Sequence, residues 1–295
     1  MSTILGNPIT LGGGGSKVPD YTYTGNAEWY NEEKTILKLK TSGVLTLNKD
    51  CTAKVFLVGG GASGSGVTGS TNTTNCGGGG GGGGYTKTEY ISFAKNTEYQ
   101  AIIGAGGIGN DNTDGSDGGE TSINGVSVSG GHHGTRGWAG SSQSIAAQYG
   151  TGGSGGSGGG ATWAVNTQSG AGGSDGANGV SVYSWSHTRN GGTGQGTTTR
   201  AFGEPDGELF AGGGGGGIMG SGSSSIVSSQ TPNGGAGGGG SGARSSTGGS
   251  VVNATSGEDN TGGGGGGGNY YVEGNYINHR TPGNGGSGVI LISFA

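Results

Sequence analysis

Charge and apolar side chains are both scarce in this chain, and each scarcity excludes something. Charged residues make up 11% and hydrophobic residues 27% of the sequence. That is too little apolar surface for an ordinary core throughout, and too little charge for a typical disordered chain, which pairs low hydrophobicity with high net charge. Thirteen basic against 18 acidic residues leave a formal net charge of −5, so phosphates cannot be neutralised across a groove and nucleic acid is not an expected partner. Long hydrophobic runs are missing, which predicts no membrane span. The opening MSTILGNPITLGGGG has neither a basic n-region nor an apolar core of secretory length, which predicts no signal peptide and synthesis in a cytoplasm. Cys51 and Cys76 are the only cysteines, too few for a disulfide framework, and the sequence leaves open whether they pair.

Catalytic signatures are equally sparse. Matches to G-x-G-x-x-G arise here from composition alone and mean nothing without a flanking strand, helix and acidic residue. The phosphate-cradling G-x-x-x-x-G-K-[ST] and the pair C-x-x-C do not occur, His132 and His133 lack further ligands at metal-site spacing, and no Ser/His/Asp order suggests a nucleophile. A non-enzymatic protein without a cofactor is expected.

What the chain has is glycine, 83 residues of it, in runs at 77–84, 212–217, 237–240 and 262–268 with a mixed GGSGGSGGG at 152–160. Fixing eight such residues costs on the order of 8–16 kcal/mol of backbone entropy, so one isolated run would stay loose. Flexible Gly/Ser linkers are the plain alternative. Several runs can instead order one another. A polyproline-II-type helix has three residues per turn and points every N–H and C=O outward, and only glycine lets such helices approach closely enough to hydrogen-bond side by side. A seven-residue run in this form spans about 22 Å.

Residues 21–130 read as antiparallel β, with strand-like stretches at 36–40, 44–47, 54–58, 85–93 and 99–103 and a hairpin over 121–128 turning at Asn124-Gly125. The closing GVILISFA is a continuous apolar strand that needs neighbours on both sides, and 54–58 or 99–103 are the stretches it is expected to join. The expected fold class is therefore all-β: an antiparallel β-sandwich with a polyglycine-II helix bundle emerging from it and the C-terminal strand returning. The expected domains are an attachment segment at 1–20, a sandwich at 21–130 completed by 284–295, and a glycine-rich domain at 131–283.

Inserts between the runs carry a different chemistry. Trp138, Trp163, Tyr183, Trp185, His187, Arg189, Tyr270, Tyr271 and Tyr276 lie in them. Aromatics on rigid supports offer large contact area at low entropic cost, so these residues are the candidate receptor-binding set; packing against one another to cap the bundle is the alternative. Asp111, Asp114, Asp117 and Glu120 recur every third residue and would share one face of a three-residue-per-turn helix. They are weak candidates for a hard cation, against a solvated acidic loop.

With these residues laid out, the chain resembles the glycine-rich tail proteins of bacteriophages and prophages of Gram-positive hosts. YTYTGN at 21–26, VFLVGGGASG at 55–64, GGGGGGGGYTKT at 77–88, AIIGAGGIG at 101–109, LFAGGGGGG at 209–217 and the closing GGSGVILISFA carry the likeness. The resemblance implies a tail-tip or tail-fibre protein of a virion or phage-derived particle, made in the host cytoplasm. It is also similar to the distal adhesins of T-even-like phages, in which end loops of a polyglycine-II bundle contact the host. On that likeness the partners would be a host cell-surface glycan or protein and other tail proteins, with a homotrimer compatible. A purely structural tail subunit is the first alternative and an ice-binding polyglycine-II protein the second.

Overall fold

Alternation of buried and solvent-facing side chains sets up the sheets. In Gly43–Leu47 the side chains of Leu45 and Leu47 are buried while Val44 and Thr46 are not, and in Ile36–Leu39 the same holds for Leu37 and Leu39. The computed structural model describes residues 18–68, 76–138, 150–161, 199–219, 232–245, 252–273 and 276–294. In chain order its strands are β1 (Tyr21–Tyr23), β2 (Ala27–Trp29), β3 (Ile36–Leu39), β4 (Gly43–Leu47), β5 (Cys51–Val58), β6 (Val67–Thr68), β7 (Cys76–Gly77), β8 (Thr86–Phe93) and β9 (Glu98–Ile102). They continue with β10 (Thr121–Ile123), β11 (Val126–Val128), β12 (Gly137–Trp138), β13 (Ile218–Met219), β14 (Arg244–Ser245), β15 (Asn269–Glu273), β16 (Tyr276–Arg280) and β17 (Val289–Ser293). The chain is all-β, as its sequence predicts.

Two five-stranded antiparallel sheets, ordered β1-β4-β9-β10-β11 and β2-β3-β17-β5-β8, face each other. Their shared core sets Leu37, Leu39, Val55, Leu57, Ile91, Ile290 and Ile292 of one sheet against Leu45, Leu47, Ala101, Ile123 and Val128 of the other. The C-terminal strand takes the first of its two expected neighbours: Val289 stands opposite Val58 and Ser293 opposite Lys54, with β3 on the other side. The expected turn at Asn124-Gly125 joins β10 to β11, with φ of 47° and 77° at its two central residues.

The second sheet is covered on its outer face as well. Phe56, Val58, Val289 and Leu291 point away from the sandwich core and pack against Ala201, Phe202, Phe210 and Ala211. Burial on both faces is the reason that residues 55–58 of β5 and 289–292 of β17 read as unbroken apolar runs.

Six strands do not stop at the sheet edge but run on into glycine. β5 leads into 59–66, 77–84 leads into β8, β9 leads into 104–109, 113–120 leads into β10, β11 leads into 129–136, and 281–288 leads into β17. All leave from one end of the sandwich, because Val58 pairs with both Thr86 and Val289, Ile102 with Ser122, and Val128 with Thr121.

Beyond that end, hydrogen bonds follow a repeat of three. Gly78, Gly81 and Gly84 donate their N–H groups to Gly268, Gly265 and Gly262; Gly79 and Gly82 donate to Thr135 and His132; Gly80 and Gly83 donate to Gly160 and Ser157. These bonds are 2.8 to 3.2 Å long. The carbonyls obey the same rule: those of Gly79 and Gly82 accept from Ser65 and Ala62, those of Gly78 and Gly81 from Gly217 and Gly214, and those of Gly80 and Gly83 from Gly153 and Gly156. Residues 78–84 thus bond to six other stretches of chain, each addressed by every third residue. Residues 60–66 repeat the pattern. Gly60, Ser63 and Gly66 donate to Gly119, Ser116 and Thr113, while Gly61 and Gly64 donate to Gly286 and Gly283. Buried backbone groups that no strand could satisfy are paired in this way.

These bonds run across residue 130, the expected domain boundary. The glycine layer takes 59–66, 77–84 and 104–120 from the N-terminal side and 150–161, 211–217 and 262–268 from the C-terminal side. Of the expected attachment segment, residues 1–17 lie outside the described residues.

Candidate functional site

Side chains other than glycine enter the bundle where a backbone N–H has no glycine carbonyl to meet. Ser63 and Ser65 accept from the N–H groups of Ser116 and Gly115, Thr121 from Gly104, Asn284 from Gly109, and Thr135 from Thr151. The acidic stripe works in the same way. Asp114 Oδ1 accepts the Arg136 N–H at 2.7 Å and Asp117 Oδ1 accepts the His133 N–H at 2.8 Å, while Asp117 Oδ2 lies 3.1 Å from His132 Nδ1. Asp111 lies 3.5 Å from His279 Nδ1, and Glu120 faces solvent. Asp114 and Asp117, three residues apart, both meet the 132–136 stretch, whereas Asp111 lies across a turn with φ of 61° at Asn112 and meets His279 instead. Among the described residues no group of three or more His, Cys, Asp or Glu is placed to hold a metal ion. Burial pushes the Asp117 carboxyl up, but the His133 N–H and the neighbouring His132 ring outweigh it and hold the group below its ordinary range.

At the end opposite the sandwich the glycine stretches give way to short ladders. Parallel pairs β6–β12 and β13–β14 stand there with the three-stranded sheet β16-β15-β7. Trp138 pairs with Thr68, Tyr271 with Asn278 and Tyr276 with Glu273, so three of the candidate aromatics lie in these distal strands. Tyr270 is also here, but its side chain is only 6% exposed. It packs on Val67 and Cys76 with its ring 6.3 Å from that of His279. That residue caps the bundle from inside and is corrected from the receptor-binding set. Trp163, Tyr183, Trp185, His187 and Arg189 lie outside the described residues.

The two cysteines are free. Cys51 heads β5 at the far end of the sandwich and Cys76 sits at the distal end of the glycine layer, roughly 50 Å of extended chain apart, so no disulfide can join them. Burial raises the Cys76 thiol to about 12, which keeps it protonated and unreactive at neutral pH.

A groove of about 350 Å3 lies at the junction of sandwich and bundle, where Thr41 and Ile103 meet Asn260, well away from the distal aromatics. No helix among the described residues is long and apolar enough to cross a membrane. Sequence reasoning did not foresee the hydroxyl and amide acceptors at Ser63, Ser65, Thr121 and Asn284. Small polar residues that interrupt glycine near a strand end were the available signal.

No curated protein matches the chain. A family model described as a glycine-rich domain matches residues 40–295, a span that takes in seven of the ten sandwich strands, all but β1, β2 and β3, and the whole glycine layer. The chain belongs to this glycine-rich domain family.

Proposed function

We propose that the protein is a non-enzymatic adhesin of a bacteriophage tail or phage-derived tail-like particle, with loops at the end of a polyglycine-II bundle binding a bacterial cell-surface glycan or protein. The observation that supports this reading is the polarity of the molecule. Six sandwich strands continue as glycine stretches from one end, and the strands bearing Trp138, Tyr271 and Tyr276 lie at the other. A rigid stem that presents aromatics at its tip suits recognition, since the stem is ordered before the partner arrives. The three-residue hydrogen-bond repeat supports the polyglycine-II reading of the stem.

The test is binding of fluorescently labelled protein to a panel of Gram-positive cells, beside a variant carrying Trp138→Ala, Tyr271→Ala and Tyr276→Ala. Strain-selective binding that falls at least about tenfold in the variant, with melting unchanged, is the expected result. Point variants are needed because removing 131–282 would strip the acceptors of Gly80, Gly81, Gly83 and Gly84 and unfold the stem. A second reading, a structural tail subunit, is favoured by the inward packing of Tyr270. Folded protein that binds no strain would decide for it.

A further inference from the structure

The groove at the junction of sandwich and bundle is assembled from stretches far apart in the chain. One wall is the β3–β4 connection over 40–42. It is tied down on both sides of its middle residue: the Lys40 N–H donates to the Asn26 carbonyl, the Asn26 N–H to Thr41 Oγ1, and the Tyr23 hydroxyl to the Thr41 carbonyl. Another wall is the turn at Asp259 and Asn260, where Asn260 takes a left-handed φ of 60°. Its N–H donates to Ser287 Oγ at 2.9 Å, while the Ser287 N–H donates to Asp259 Oδ1 at 3.3 Å. Ile103 supplies an apolar surface. At about 350 Å3 the groove is at the small end of the roughly 300–1,000 Å3 that ligand sites occupy, and its walls are fixed before any ligand arrives.

The polar groups lining it are incompletely matched by one another. The hydroxyl oxygens of Thr41, Ser42 and Ser287 each accept one backbone N–H, from Asn26, Ile103 and Asn260, which leaves each O–H hydrogen to donate. Lys40 Nζ uses one of its three N–H groups on Glu28, 3.2 Å away, and forms no ion pair with Asp259. Asp259 has no cationic partner among the described residues, and Asn260 Oδ1 is buried without a hydrogen bond. One groove therefore holds an ammonium with several O–H donors and, apart from them, a carboxylate beside an unmet amide oxygen. A ligand that satisfies both sets carries an anion and a cationic N–H donor on a small frame, with an apolar part for Ile103. A neutral saccharide brings neither charge, and a simple amine or carboxylate leaves one set unmet.

We propose that the junction groove binds a zwitterionic α-amino acid with an apolar side chain, its carboxylate held by Lys40 and the hydroxyls of Thr41 and Ser42, its ammonium by Asp259, and its side chain against Ile103. This goes beyond the adhesin reading and stands or falls separately, since the groove lies at the junction and not among the distal strands that carry Trp138, Tyr271 and Tyr276.

Saturation-transfer NMR titrations on the full-length protein test the assignment, with leucine, leucine methyl ester, N-acetylleucine and glucose as probes. Leucine is expected to bind saturably. The ester lacks the carboxylate and the acetylated form lacks the ammonium, so each is expected to bind at least about tenfold more weakly, as is glucose. Asp259→Asn keeps an oxygen for the Ser287 N–H and is expected to weaken leucine at least about tenfold while leaving N-acetylleucine unchanged. Lys40→Gln is expected to weaken leucine similarly while leaving the methyl ester unchanged. Both side chains reach solvent, so neither substitution is expected to move the melting temperature. A groove that binds no leucine, an ester or acetylated form that binds as tightly as leucine, glucose bound in its place, or leucine binding that survives both substitutions would overturn the proposal.

Discussion

A Cβ placed on Gly80 would stand 2.2 Å from the Gly214 carbonyl oxygen and 2.8 Å from that of Gly215. Both are backbone atoms of a stretch held by its own hydrogen bonds, so they cannot swing aside as a side chain would. Gly80→Val is expected to cost about 3 kcal/mol or more, read as a lowered urea midpoint. The glycine at the β10–β11 turn behaves differently. Gly125 has φ of 77° with nothing within 4 Å of an added Cβ, so Gly125→Ala meets only the backbone penalty, about 1 kcal/mol. Comparing the two variants separates close approach from chain conformation. The carboxylates of the stripe act at the same scale. Asp117 is held below its ordinary value of 3.8, so the unfolded chain binds this proton more tightly than the folded one does. Its contribution is present above pH 3.8 and is lost as pH falls through the depressed folded value. Half of the side chain faces water, which keeps the effect small. Asp117→Asn keeps an oxygen for the His133 N–H, and its melting temperature is expected to fall less steeply than that of the unaltered protein when both are acidified below pH 3.8.

Among the elements, the connection over 199–211 has more importance than its irregular backbone suggests. Phe210 is fully buried with its ring 5.4 Å from that of Phe56, and the Phe202 ring lies 6.1 Å from the same ring. Lys54 pairs with Glu204 at 2.7 Å, and Tyr30 hydrogen-bonds Glu208, which fixes the segment across the sheet. It converts a half-exposed sheet into the central layer of three. Phe210→Ala is expected to cost about 3–5 kcal/mol in chemical denaturation, comparable with truncating a residue of the sandwich core, although it belongs to neither sheet. The glycine stretches are a second kind of element, defined by their partners. The backbone N–H groups of 60–66 and 78–84 bond only to other stretches, so these two keep their shape only where others surround them.

At the scale of the whole molecule, sandwich and glycine layer are continuous, since the same chain segments build both. The hydrogen bonds of Gly81 to Gly265 and of Gly61 to Gly286 tie the first third of the chain to its last. The all-β class, the return of the C-terminal strand to the sandwich with 54–58 as one of two candidate neighbours, and the turn at Asn124-Gly125 could all be read from residue order. Each depends on local pattern: alternation, an apolar run, a positive-φ pair. The domain limits and the Tyr270 side chain were not legible in that way. An aromatic in a polar insert looks the same whether it faces solvent or fills the gap between Val67 and Cys76. The cover at 199–211 was hidden for a related reason, because its apolar residues are few and their targets are β5, more than a hundred residues earlier, and β17, at the end of the chain. Composition by itself determined that the glycine runs either pack backbone against backbone or stay loose, because no side chains are available to order them. Which stretches meet, in which direction, and which inserts turn inward were decided by closure of the fold, since a glycine run has no side chain with which to encode its partner.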